Sequence, residues 1–249
     1  MNFVILEEVD STNSYVTRHA ATLADMTMVL AESQTAGRGQ RGNSWESEPG
    51  RNLTATLFWR PSGVAPRQQF AISEATALAV VDWLAFEGVE AKVKWPNDIY
   101  VADRKICGIL IEHSLTASSI DHSRIGFGVN INQREFHSDA PNPVSLVQLT
   151  GEERDVSRAA ASMGRYLEAR LAQTATPEGR SSLHADFMAA LWRGDGKPHP
   201  FRQRNPREGE PELFSGIIRD VSPEGPIRIL DTDAGPTREF MFKEVEFIL

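Results

Sequence analysis

Apolar residues recur along this 249-residue chain in two rhythms, one of period two and one of period 3.6. The run 3–6 (FVIL) reads as a strand. In the polar stretch that follows, "EEVDSTNSYVTRHAA", Asp10 or Ser11 is placed to cap a short helix running towards Ala21. "MTMVLAES" (26–33) predicts a second strand. "NLTATLFW" (52–59) predicts a third, with Leu53, Ala55 and Leu57 on one face and Thr54 and Thr56 on the other. The segment between them, 34–51, is rich in Gly, Ser, Asn, Pro and Arg and reads as loop. Residues 67–87 predict an apolar helix that brings Ala71, Ala75, Leu78 and Leu84 together, with Gly88 as a natural residue just past its end. Short strands follow at "EAKVKW", "ICGILIEH" and "SRIGFGVNIN". "DVSRAAASMGRYLEARL" then puts Val156, Ala160, Met163, Leu167 and Leu171 on one helical stripe, and a further helix is expected over 179–192.

The stretch 193–211, dense in Pro, Gly and charge, reads as a boundary. Three short strands are expected after it, at "LFSGIIRDV", "GPIRIL" and "REFMFKEVEFIL". This divides the chain into a main body, 1–205, and a small all-β unit, 206–249. A unit of about 40 residues rarely folds alone, so it should dock on the body. Strands and helices do not alternate regularly. The expected class is therefore α+β: a mixed sheet with helices mainly on one face, not a doubly wound parallel sheet.

Composition narrows the picture. Apolar residues make up 41% and charged residues 24%, enough for a sizeable core. The net charge of −8, with no long basic run, argues against non-specific nucleic-acid binding. The start, MNFVILEEVD, lacks the basic region of a secretory signal, and no apolar stretch reads as the roughly 20 residues that span a bilayer. The single cysteine, Cys107, excludes a disulfide within the chain and sits in an apolar run where a buried thiol is inert. These features predict a cytoplasmic protein with neither nucleic acid nor membrane as partner.

Four stretches carry candidate chemistry. "GRGQRG" (37–42) matches the G-x-G-x-x-G dinucleotide pattern, but "NSWESEPGRN" after it cannot form the helix that pattern requires. What remains is a glycine-rich loop with two guanidinium groups, Arg38 and Arg41, suited to phosphate or carboxylate, or simply a basic surface loop. In "VKWPND" (93–98), Val93 and Trp95 face one side and Lys92 and Lys94 the other. Lys94 at the strand end can neutralise an anion, or sit solvated. "RIGFGVNIN" places Gly126, Gly128 and Asn130 on one face, as for a flat ligand or a close helix contact. "DSTN" (10–13) supplies small polar groups at a helix start, where capping is the ordinary use. The six histidines show no metal-ligand spacing, and neither a Walker loop nor G-x-S-x-G occurs.

Taken in order, STN, Q-T-x-G-R-G-x-R-G-x-x-W, KWPND, RKxxGILIE and G-x-G-x-N resemble the catalytic region of biotin–protein ligases (biotin–[acetyl-CoA-carboxylase] ligases). The closing segment resembles their small SH3-like C-terminal domain. The resemblance implies a class II synthetase-like catalytic domain and a reaction in two steps. Biotin and ATP, with Mg²⁺, give biotinyl-5′-AMP, and the biotinyl group then passes to one lysine of a biotin carboxyl carrier protein. Carried over by position, it implies that Ser11, Thr12, Asn13 and Gln34 read biotin's ureido head. Gly37 and Arg38 would meet its chain and carboxylate, and Gly126 and Gly128 would underlie its bicyclic ring. Lys94 and Arg38 would be the catalytic cations. Gly39, Gln40, Arg41, Trp45, Lys105 and Asn130 would complete the nucleotide site, together with Arg38 and Lys94. The glycine-rich loop is expected to close over the reactive adenylate. Many relatives have Arg at the position of Gln40, and some have another Arg at that of Asn43. No residue stands out as the base for transfer. The chain begins directly at the catalytic region, so no DNA-binding domain is expected, and a monomer or homodimer fits equally. The competing expectations are a lipoate–protein ligase-like acyl-adenylate enzyme and a non-catalytic biotin or nucleotide sensor.

Overall fold

A computed structural model describes residues 1–39, 43–138, 142–204 and 211–249. The chain opens with strand β1 (Asn2–Val9), helix α1 (Thr12–His19), and strands β2 (Thr27–Gln34) and β3 (Leu53–Trp59). A short 3₁₀ turn, Pro66–Gln68, leads into helix α2 (Phe70–Phe86), and Gly88 at φ +84° ends it as its position predicts. Strands β4 (Lys92–Lys94), β5 (Asp98–Val101), β6 (Arg104–Leu115) and β7 (Ile120–Val129) follow. Then come helices α3 (Leu146–Thr150), α4 (Val156–Gln173) and α5 (Pro177–Ala189).

The seven strands form one sheet in the order β1-β2-β3-β7-β6-β5-β4. Only β1 and β2 run parallel; every other neighbouring pair is antiparallel, so the sheet is mixed. The period-two pattern of β3 explains how its two faces are covered. Leu53, Ala55 and Leu57 join the main core with α2, α4 and α5, while Phe58 packs with Val16 of α1 and Val29 on the opposite face. All of β3 is buried because helices lie on both sides of it. In α4 the expected stripe holds: Ala160, Met163, Leu167 and Leu171 are buried, and Asp155 caps the helix through Arg158 N.

Helix α2 corrects one sequence reading. The segment Pro66–Phe86 is long and apolar enough, with a mean hydropathy of 1.2, to cross a membrane by length and composition alone. In the structure 67% of that window is buried in the protein, where the helix packs against the sheet, α4 and α5. A helix that is apolar on all sides is a core helix in this setting.

The second sheet is antiparallel and contains strands β8 (His199–Gln203), β9 (Glu212–Val221), β10 (Ile227–Asp231), β11 (Thr237–Phe240) and β12 (Val245–Phe247), in the order β11-β10-β9-β8-β12. It begins at His199, ahead of the boundary read at 205/206. "HPFRQ" forms a strand despite its proline because Phe201 is fully buried among the sheet's aromatics. The sheet docks on the body, with Trp95 Nε1 donating to Gly225 O at 2.9 Å and Phe242 packing on Trp95 and Phe70.

Candidate active site

A cleft of about 980 Å³ opens between the α1 face of the first sheet and the second sheet. Its polar end is built at the start of α1. Ser11 has the extended backbone of an N-cap, yet its hydroxyl makes no capping bond. This differs from the ordinary reading of "DSTN": Ser11 is buried in the cleft wall, with no capping role for its side chain. Gln34 Oε1 accepts from Thr12 N at 2.8 Å and from the Thr12 hydroxyl at 3.2 Å. Thr56, fully buried on β3, lies 2.8 Å from the Thr12 hydroxyl and 2.7 Å from Asn13 Oδ1. Each threonine hydroxyl has one proton, so Thr56 donates either to Asn13 Oδ1 or to the Thr12 hydroxyl at any one time.

The floor of the cleft is set by strand register. Gly108 on β6 lies opposite Gly128 on β7, and Leu110 lies opposite Gly126. A methyl group on Gly128 would sit 2.3 Å from the Trp45 ring, and one on Gly108 would sit 3.0 Å from it. A methyl group on Gly126 would sit 2.7 Å from Asn13 Oδ1. The glycines thus leave a flat surface, as their shared face predicts, but the indole of Trp45 and the amide of Asn13 lie on it. The resemblance assigns Trp45 to the nucleotide; here its indole lies over Gly128, a glycine assigned to the ring. Its Nε1 is buried without a partner among the described residues, and so is Asn130 Oδ1, while Asn130 Nδ2 donates to Val144 O at 3.1 Å. Two unsatisfied buried groups at one end of a cleft point to a polar ligand.

Within the glycine-rich segment Gly37 O accepts from Trp45 N at 3.0 Å, Gly39 N donates to Asn43 O at 2.7 Å, and Arg38 bridges Ser44, so residues 37–39 pair with 43–45. Gln40 and Arg41 lie outside the described residues. Arg38 turns to Glu112 on β6, at 3.2 Å, instead of extending free into the cleft. Glu112 also meets Asn13 Nδ2 at 3.5 Å and Arg124 at 3.8 Å.

Lys94 ends β4 on the face opposite the core residues Val93 and Trp95, as its alternation predicts. Among the described residues no carboxylate lies within salt-bridge distance of it. Burial pushes its pKa below the ordinary lysine value, partly offset by the charge of Asp98. Lys105 is instead paired, at 2.7 Å, with Asp98 of the same KWPND stretch. The Trp95–Pro96 peptide is cis, and Asn97 clamps the turn by donating from its side chain to Ile109 O. Arg202, Arg204 and Glu246 of the second sheet also line the cleft, and both arginines are held by Glu246.

Of the sequence-derived set, Ser11, Thr12, Asn13, Gln34, Arg38 and Gly39 line this cleft, as do Trp45, Lys94, Lys105, Gly126, Gly128 and Asn130. Gly37 is not among the lining residues, and its carbonyl accepts from the backbone of Trp45, which is. Thr56, Asp98, Gly108 and Glu112 escaped the reading. Only the cross-strand register brings Asp98 and Gly108 together, and Glu112 lies 74 residues from Arg38.

Comparison with known proteins gives concordant results. The model of the biotin/lipoate A/B protein ligase family matches residues 5–130. The chain is 36% identical over 144 residues to the bifunctional ligase/repressor BirA of Salmonella typhimurium, covering 57% of this chain and 44% of that protein. It is 31% identical over 230 residues to the biotin–[acetyl-CoA-carboxylase] ligase of Mycobacterium tuberculosis, covering 89% and 80%. The chain thus spans under half the length of the first of these relatives and most of the second. The biotin protein ligase from Aquifex aeolicus, solved in complex with biotin and ATP, shares the fold with a TM-score of 0.78 at 24% identity, over 98% of this chain and 97% of that one.

Proposed function

The chain belongs to the biotin/lipoate A/B protein ligase family, and on that premise we propose that it is an ATP-dependent biotin–protein ligase. It joins biotin to AMP and passes the biotinyl group to one lysine of a biotin carboxyl carrier domain, of the acetyl-CoA carboxylase kind that relatives' names indicate. A cytoplasmic setting belongs to the same reading. The observation that carries it is the meeting, in one cleft, of a connected polar network, a glycine floor and a half-buried lysine with no salt-bridge partner among the described residues.

In the first step an oxygen of the biotin carboxylate attacks the α-phosphorus of ATP, and pyrophosphate leaves with the electrons of the broken P–O bond. Two anions must approach, so cations have to offset their repulsion. Lys94 is suited to bridge the carboxylate and α-phosphate because no acid neutralises it. Arg38 would exchange Glu112 for the ligand's carboxylate. Ser11, Thr12, Asn13 and Gln34 offer the donors and acceptors that a ureido group needs. Gly126 and Gly128 keep side chains off the floor that ring and indole share. Asn130 Oδ1 offers an acceptor for an adenine amino group, while Gly39, Gln40, Arg41, Trp45 and Lys105 complete the nucleotide side. Among the described residues no three His, Cys, Asp or Glu side chains gather as a metal site; Mg²⁺ would arrive as part of Mg-ATP. In the second step the carrier lysine attacks the acyl carbon and AMP leaves. The second sheet is read as an SH3-like barrel that begins with β8, which moves the boundary between the units to about residue 198.

The test is incubation with Mg-ATP and either biotin or lipoate, scoring pyrophosphate release and the adenylate by mass. Biotin-dependent release is the expected result. Turnover with lipoate alone would assign the lipoate-type activity instead, and binding of biotin without release would assign a sensor.

A further inference from the structure

Lys94 reaches across the seam between the two sheets. Its Nζ lies 5.0 Å from the ring centre of Tyr100 on β5 and 5.7 Å from that of Phe247 on β12. The rings are braced by one shared neighbour, since Trp192 packs on Tyr100 at 5.2 Å and on Phe247 at 5.9 Å. Trp192 is itself fixed to the strand that carries the lysine: Val93 N donates to Ala190 O at 2.8 Å, and Trp192 N donates to Val93 O at 2.9 Å. Arg193 Nη1 then donates to Ile248 O at 2.8 Å, beside Phe247.

We propose that Tyr100 and Phe247 form an aromatic slot that positions the Lys94 ammonium for adenylation, so that the second sheet supplies part of the adenylation site. The physical need is clear. Burial works against the charged form of the lysine, and the usual remedy is a carboxylate. Such a partner would also neutralise the charge that must meet the substrate anions. Aromatic faces attract a cation through their quadrupoles without cancelling its charge. The other ionisable groups that act on Lys94 are Asp98, Lys105, Glu246 and Arg193. Asp98 is held by Lys105, and Glu246 by Arg202 and Arg204. Phe247 is thus a positioning residue that acts through Lys94.

This inference rests on the proposed adenylation activity, and the test separates the two. Phe247→Leu keeps apolar volume and removes the ring; Phe247→Trp keeps a ring. In the full chain, Phe247→Leu is expected to slow biotin-dependent pyrophosphate release about threefold to thirtyfold. The KM for biotin should stay within about twofold, and the alkaline limb of the pH profile should move to lower pH. Phe247→Trp should recover most of the rate. An independent readout uses the chain's five lysines, at 92, 94, 105, 197 and 243. After ¹³C-dimethylation, the Lys94 methyl signal, assigned with Lys94→Arg, should be displaced by ring currents in the wild type and return towards the other lysine signals in Phe247→Leu. Equal rates and limbs in wild type and Phe247→Leu, equal losses in the Leu and Trp variants, or an undisplaced Lys94 signal would overturn the slot. A displaced signal in a protein that releases no pyrophosphate would uphold the slot and overturn the assigned activity.

Discussion

Lys94 differs from four other cations of the cleft, Arg38, Lys105, Arg202 and Arg204. Arg38 has Glu112, Lys105 has Asp98, and Arg202 and Arg204 share Glu246, while Lys94 meets aromatic rings. A cation kept charged and unneutralised is most useful where negative charge grows in a transition state, and less so for holding a neutral ureido ring. Lys94→Ala is therefore expected to lower the adenylation rate by a factor of about 100 to 1,000. Biotin affinity measured calorimetrically should change by less than about threefold, by the same division of roles. Undiminished ATP-dependent pyrophosphate release in this variant would remove Lys94 from its assigned role. At this scale the sequence was informative where chemistry and local spacing coincide: Lys94 on the polar side of its strand, Gly126 and Gly128 on one face, Ser11 at a helix start. It was silent on Glu112, Asp98 and Thr56. Each of these acts across strands or between elements distant in the chain, and no local pattern marks an acid or hydroxyl for such a partner.

Among the elements, the long periodic ones were legible, as were β4 and β10, while some other short ones were not. The stripe of α4 and the alternation of β3 follow directly from burial on one or two faces. Strand β5 was hidden in a turn-like run because it has four residues, and it is held by the burial of Ile99 and Tyr100. The loop read from composition over 34–51 agrees with the absence of any helix or strand between β2 and β3 among the described residues, where Gly37 and Gly39 make local backbone bonds to Trp45 and Asn43. Helices α2 and α5 carry a contact that no pattern announces: His184 Nδ1 lies 2.7 Å from Glu74 Oε1, and Glu74 is only 2% exposed. The hydrogen bond that the His184 ring donates to Glu74 holds the His184 pKa above its ordinary value, and burial raises that of Glu74. The sign follows from linkage. A histidine whose folded pKa is raised contributes stability below its unfolded pKa of about 6.5 and loses it as pH rises through the folded value. Thermal unfolding of wild type and His184→Gln should therefore differ more at pH 6 than at pH 8.5, with the variant less stable at pH 6. An equal difference at both values would contradict a charged pair.

At the scale of the whole molecule, the two sheets share one continuous hydrophobic core and one cleft. The mixed sheet, its helix layer and the trailing β unit were all visible in the chain's patterning. The start of that unit was not, because Pro200 and the charged residues around β8 resemble a linker until the burial of Phe201 is known. The cleft explains why the arrangement suits a two-step transfer. On the proposed function, the first sheet would supply recognition and the floor, the second sheet would line the side with the cations, and a carrier lysine would have to reach the point between them. The central claim is that this cleft activates biotin and hands it to a protein. It is tested most directly by incubating the full chain with biotin, Mg-ATP and a biotin carboxyl carrier domain, and measuring the carrier's mass. The account predicts a gain of one biotinyl group on a single lysine that requires both biotin and ATP. A carrier of unchanged mass, while the protein binds both ligands, would contradict it.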